Sequence, residues 1–233
     1  MLSELNRDSS TAGRMVTQFS DSIVVSYPVT ETSGVFYLVS DVALLIMDLA
    51  SRGFLARGAI THGRLIHTER YLVGPAMIRA YQMESAEAKV PRVVIDPEVL
   101  NFSRQHHAPQ NSAQEEADYV QGFMTKDVDG LYFFDYVSWH SVVAVAGGSA
   151  DFYGEYLRSL GALVERGLLS PDPSVLKKHL WLHSHYVRSI DQILNEPKNS
   201  DWSSENSEAV TIAELLDRHD EIATKARARV CIS

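Results

Sequence analysis

A chain of 233 residues, 45% of them apolar, can bury its own core and suits one domain or one domain with a helical extension. A formal net charge of −9 excludes a nucleic-acid polymer as the main partner, because gripping a phosphate backbone needs a basic face. The single cysteine, Cys231, excludes an internal disulfide and fits a reducing cytoplasm. The first ten residues are polar, with no apolar run behind a basic start, so no secretory leader is expected. Alternating apolar residues predict strands over 14–19 and 22–27, turning at Ser20-Asp21. Residues 28–34 read as a loop. A helix is predicted over 35–52, with Leu38, Val42, Leu45 and Leu49 at helical spacing and Gly53 as its C-terminal cap. Its apolar stretch, Val42 to Leu49, is bounded by Asp41, contains Asp48, and reads as too short to span a bilayer.

A second hairpin is predicted from residues 54–61 and 64–67 around His62-Gly63. A helix follows over 75–88, opening on Pro75, then a short strand over 92–95 ended by Asp96-Pro97. The polar residues 101–118 read as a loop or weak helix. Residues 122–126 and 131–137 bracket Asp127-Val128-Asp129-Gly130, and Asp-Gly between such runs signals a hairpin. From residue 151 onward the pattern is helical, over 152–169, 174–194 and 210–230, with a polar stretch at 195–206. Strands interleaved with helices, then helices alone, predict an α+β fold divided into residues 1–145 and a helical extension at 146–233.

The order of these parts resembles a known family. Val16-Thr17-Gln18-Phe19-Ser20-Asp21-Ser22 places one carboxylate at a hairpin tip. A helix, a second hairpin and Gly74-Pro75-Ala76 entering a helix through Tyr81-Gln82-Met83-Glu84 come next. This resembles class III nucleotidyl cyclases, and within them the pyrimidine cyclases of bacterial anti-phage (Pycsar) systems, over residues 13–138. The resemblance implies a ferredoxin-like βαβ core with an antiparallel sheet and helices on one face. It also implies a first core strand, carrying a second metal aspartate, ahead of the Asp21 hairpin. Asp8 lies in a polar stretch without strand character, so that strand is expected upstream of Met1.

In that family the ribose 3′ hydroxyl attacks the α-phosphate and expels pyrophosphate, helped by two divalent cations, Mn²⁺ or Mg²⁺, held by carboxylates. The resemblance puts Asp21 on the metal and Thr17 and Tyr71 on the base. Neither matches the Lys/Asp or Glu/Cys pairs of purine cyclases, which disfavours a purine substrate. Ile78 and Gln82 stand where purine enzymes carry a ribose-orienting Asn and a transition-state Arg. Arg79 lies beside the first, so Arg79 and Gln82 are the candidate catalytic residues. Lys126, Arg57 and Arg64 are the candidate triphosphate cations.

The expected activity is conversion of UTP to 3′,5′-cyclic UMP by a cytoplasmic homodimer. Asp21 would come from one subunit and the Arg79–Gln82 helix from the other. A separate effector with a cyclic-nucleotide-binding domain would read the product. Cytidylate cyclase activity and a catalytically inactive nucleotide- or protein-binding module are the alternatives. His179, His183 and His185 lie near one another on a predicted helix but lack an HExxH glutamate and a convincing third ligand, so they read as structural.

Overall fold

The computed structural model describes residues 13–146, 150–195 and 219–229. The sequence expectations for Asp8, residues 147–149, residues 196–206 and Cys231 lie outside them. The fold is α+β. Two compact units divide the chain: Met1–Leu45 with Arg57–Phe134, and Ile46–Ala56 with Asp135–Ser233.

In the first unit β1 (Met15–Phe19) and β2 (Ser22–Ser26) form an antiparallel ribbon, with Phe19 opposite Ser22 and Ser20-Asp21 as the loop. Ser20 carries φ 53°, and a positive φ at the first loop residue alone matches a type II′ turn. Helix α1 (Gly34–Ser51) follows and runs from this unit into the second. Its Asp41 accepts a 2.6 Å hydrogen bond from the Tyr27 hydroxyl and an ion pair from Arg14 at 3.0 Å, which ties the helix to the ribbon. The buried stripe is Val39, Ala43, Ile46, Met47 and Ala50, one position round the helix from the apolar set read in the sequence. At 18 residues α1 is long and apolar enough to cross a membrane by length and composition alone, which corrects the shorter stretch read from the sequence. Its end is a Schellman motif: Gly53 takes φ 84°, its N–H reaches Ala50 O, and Phe54 N–H reaches Leu49 O.

The next strands depart from the expected hairpin around His62-Gly63. β3 (Gly58–Ile60) pairs parallel with β6 (Val93–Ile95), while β4 (Ile66–His67) pairs antiparallel with β5 (Leu72–Val73). Two local causes separate them. Thr61 Oγ1 donates to Asp96 at 3.0 Å, binding the end of β3 to the end of β6. The Thr68 hydroxyl accepts from the backbone N–H groups of Arg70 and Tyr71, folding the chain after β4 into its own turn. Helix α2 (Pro75–Ala86) carries the chain back to β6, and such a crossover is what a parallel pair needs. β7 (Thr125–Lys126) and β8 (Tyr132–Phe133) complete a four-stranded sheet of order β3-β6-β8-β7. The sheet is therefore mixed rather than wholly antiparallel. Met83, Ala88 and Val94 form a buried cluster with Ala59 and Leu131 packed on it.

The polar stretch at 101–118 holds two helices, α3 (Val99–Gln105) and α4 (Ala113–Gly122). A legible signal was present: Ser112 and Glu115 form a capping box, satisfying two orphan N–H groups reciprocally.

The second unit holds α5 (Trp139–Ala146), α6 (Ala150–Leu168), α7 (Pro173–Asn195) and a helical segment over 219–229. The sequence reading lacked α5. It opens on Ser138, whose hydroxyl accepts from Ser141 N–H. Buried Tyr153 and Tyr156 donate to the carbonyls of Val137 and Tyr136. α6 and α7 approach closely at Gly167, where an added Cβ would lie 2.0 Å from the His179 ring. Arg229 caps α6 by donating to Leu168 O at 2.6 Å. His179, His183 and His185 are all buried. His183 Nε2 lies 3.2 Å from Asp220, and His185 stacks on Trp181 with ring centroids 4.4 Å apart.

Two predictions follow from this packing. Gly167→Ala overpacks the α6–α7 contact and lowers stability by about 1–3 kcal/mol or more, whereas Gly122→Ala, with open space beyond it, loses nothing. Urea unfolding of both variants checks the contrast. The second concerns pH. Burial first, with Arg227 and His219 adding and Asp220 opposing, holds His183 below its ordinary 6.5, and burial does the same for His179. Below pH 6.5 the unfolded chain binds more protons than the folded one, so stability is complete above that pH and falls beneath it. The urea midpoint read by tryptophan fluorescence drops as the pH is lowered from 7 to 5, and His183→Gln flattens the slope.

Candidate functional site

Two hairpins meet at one histidine. His67 on β4 forms hydrogen bonds to Thr17 Oγ1 on β1 and to Ser26 Oγ on β2, each 2.8 Å long. Thr17 pairs with Val24 and Ser26 with Met15, so both hydroxyls stand on one face of the ribbon. Tyr71 lies in the turn leading to β5, with its backbone carbonyl bonded to Thr68 N–H at 2.8 Å and its side chain exposed. Two residues assigned to base reading, 54 positions apart in sequence, thus sit on neighbouring hairpins joined through His67. The sequence reading did not single out His67. Its pattern is that of an ordinary strand residue, and only a contact across 50 positions reveals it.

Gly74 lets β5 turn into α2 beside this group. It adopts φ 154°, and a Cβ there would lie 2.4 Å from the Arg64 carbonyl oxygen. That carbonyl accepts from Ala76 N–H at 3.2 Å, fixing the helix start against the strand that leads to His67. Among the described residues of α2, Met83 alone is buried. Arg79, Gln82, Ile78 and Tyr81 all lie on its exposed surface, the last two at 61% and 66% exposure.

The cations have their own partners. Arg57 makes a 2.6 Å ion pair with Glu84 and Arg79 a 3.7 Å contact with Glu87. Lys126 lies on β7, at the opposite edge of the four-stranded sheet from β3, with its Nζ 5.7 Å from the Tyr132 ring centre. Arg64 is exposed and has no ion pair among the described residues. None of the four cations bonds to Thr17, His67 or Tyr71 among the described residues.

Asp21 is exposed at the ribbon tip. Among the described residues no group of three or more His, Cys, Asp or Glu side chains comes together as a metal cluster.

Electrostatically the group is neutral and half-sheltered. Burial keeps the His67 imidazole below its ordinary range, so near pH 7 it holds one N–H and one bare nitrogen. The arrangement therefore presents a hydroxyl whose hydrogen-bonding sense follows the His67 tautomer, while the exposed Tyr71 ring stands in the same hairpin as His67, on its other face. No family model, no curated protein and no solved structure matches the chain.

Proposed function

We propose that the protein is a pyrimidine nucleotide cyclase that converts UTP to 3′,5′-cyclic UMP and pyrophosphate. The observation that carries the reading is the joining of Thr17 and the Tyr71 hairpin through His67, beside a ribbon with Asp21 at its tip. Thr17 offers a base a hydroxyl, and neither Thr17 nor Tyr71 supplies a purine-specific pair of charges. The ribose 3′ oxygen would form a bond to the α-phosphorus as the bond to pyrophosphate breaks. Two divalent cations, Mn²⁺ or Mg²⁺, belong to this chemistry, with Asp21 contributing a carboxylate to them. Arg64, Arg57 and Lys126 supply positive charge for the triphosphate.

The exposed α2 surface supports a homodimer in which Arg79 and Gln82 of one subunit serve the Asp21 side of the other. Ile78 and Tyr81 give that surface apolar area to cover. A cytoplasmic location and a separate cyclic-nucleotide-binding effector complete the reading. A catalytically inactive nucleotide- or protein-binding module is the second reading. The pairing of Arg57 and Arg79 with glutamates favours it.

The decisive assay incubates the protein separately with ATP, GTP, CTP and UTP plus Mn²⁺ and identifies cyclic products by mass spectrometry. Cyclic UMP is expected, reduced about a hundredfold or more in Asp21→Ala with the melting temperature unchanged. UTP binding without product selects the second reading. Absence of both binding and product removes the cyclase and nucleotide-binding readings and leaves the protein-binding module.

A further inference from the structure

His67 bridges two hydroxyls, Thr17 and Ser26, with its two ring nitrogens, and that arrangement has a chemical consequence. A neutral imidazole donates from one nitrogen and accepts at the other. One hydroxyl must therefore give its proton to the ring while the other receives the ring's proton. If Nε2–H donates to Thr17, the Thr17 O–H is left to point outward as a donor. If Nε2 is bare and takes the Thr17 proton, only oxygen lone pairs face outward.

We infer that His67 is the specificity-determining residue of the base site, setting whether Thr17 meets a pyrimidine carbonyl or a pyrimidine amino group. The inference rests on the nucleotide reading above. Uracil offers a carbonyl where cytosine offers an amino group, so the two bases ask opposite senses of the same hydroxyl. A site whose polar group points the wrong way leaves it unpaired, and that mismatch is what rejects a ligand. His67 is a positioning residue: it acts through Thr17.

The same geometry predicts a proton-linked selectivity. A protonated imidazole donates from both nitrogens, which frees the Thr17 proton to meet a carbonyl, so the carbonyl base gains while an amino base keeps the remaining lone pair. Few charges compete for that proton. Burial is the resolved cause of the His67 shift, and no charged side chain contributes to it. The charged groups on the packed elements are Asp21 in the β1–β2 turn, Glu69 and Arg70 in the β4–β5 turn, and Arg64 before β4, all exposed. Arg14 and Tyr27, at the base of the ribbon, are engaged by Asp41, and Tyr71 is exposed.

Isothermal titration of the full chain with UTP and with CTP, between about pH 5.5 and 8 and so above the protonation of cytosine's own ring nitrogen, tests this. The affinity ratio cancels the titration of the shared triphosphate. The expected result is a UTP preference that rises about tenfold as the pH falls, the worth of one hydrogen bond. In His67→Gln, whose amide supplies both a donor and an acceptor, binding persists and the ratio no longer depends on pH. His67→Phe loses the preference between the two nucleotides, with a melting curve as the check on folding. If the native chain binds both nucleotides and His67→Gln keeps the same ratio and the same pH profile, His67 only holds the hairpins together and the inference falls. If the native chain binds neither nucleotide, the nucleotide reading itself fails and takes the inference with it.

Discussion

The buried guanidinium of Arg92 is the constraint on which the first unit depends. It stands immediately before β6, the strand that pairs with both β3 and β8, and only 2% of it is exposed. Its nitrogens bond to Asp127 and Asp129 in the β7–β8 turn and to the Glu87 carbonyl just beyond α2. One side chain thereby fixes the end of α2, the start of β6 and the turn of the last hairpin. Removing it would leave Asp127, itself buried, as an uncompensated charge, a loss of roughly 3–5 kcal/mol. Asp129 is nearly half exposed, and its hydrogen bond to Arg92 holds its carboxyl below the usual range. The charge network adjoins an apolar cluster of Met83, Ala88 and Val94, with Leu131 of the same β7–β8 turn packed on it.

What the sequence disclosed and what it hid divide along a physical line. Interactions within a few residues were legible. The Ser20-Asp21 loop, the Gly53 cap, Pro75 at a helix start and the Asp-Gly turn all depend on neighbours in the chain. The capping box at Ser112 was equally local and was obscured by the polar composition around it. Pairings decided by distant partners were not legible. β3 resembles the first arm of a hairpin in sequence, and Thr61 binding to Asp96, 35 positions on, sends it to β6 instead. The same limit applies to the site: Thr17, Tyr71 and Asp21 could be named from a pattern, but His67 depends on a contact no local pattern encodes.

The two units use histidine in opposite ways. In the helical unit His183 is buried, facing Asp220, and burial holds its ring below the ordinary imidazole range. In the first unit His67 is only partly buried and spends both nitrogens on hydroxyls rather than carboxylates. A carboxylate partner would stabilise the charged ring, whereas hydroxyl partners tolerate either tautomer. Neutral partners are what leave the hydrogen-bonding sense of Thr17 adjustable. The ribbon gains little stability from burial, since none of its side chains is fully covered. Its position depends on polar ties, through Asp41 to α1 and through His67 to β4.

Burial also separates the cations that build the fold from those able to meet a triphosphate on a chain of net charge −9. Arg92, itself buried, has its charge matched by buried Asp127 and half-exposed Asp129. Arg57 and Arg79 are paired too, but at 40% and 51% side-chain exposure their partners are surface glutamates. Such pairs contribute about 0–1 kcal/mol, whereas a charge-assisted hydrogen bond contributes about 1.5–3. On the proposed nucleotide reading, a phosphate oxygen would displace Glu84 or Glu87 at small cost. Arg64 needs no displacement at all, and its backbone is held by Ala76 N–H against the strand that ends in His67. On the proposed nucleotide reading, charge for the triphosphate would come from Arg64 and the setting of the Thr17 hydroxyl from His67, the two ends of a single short segment.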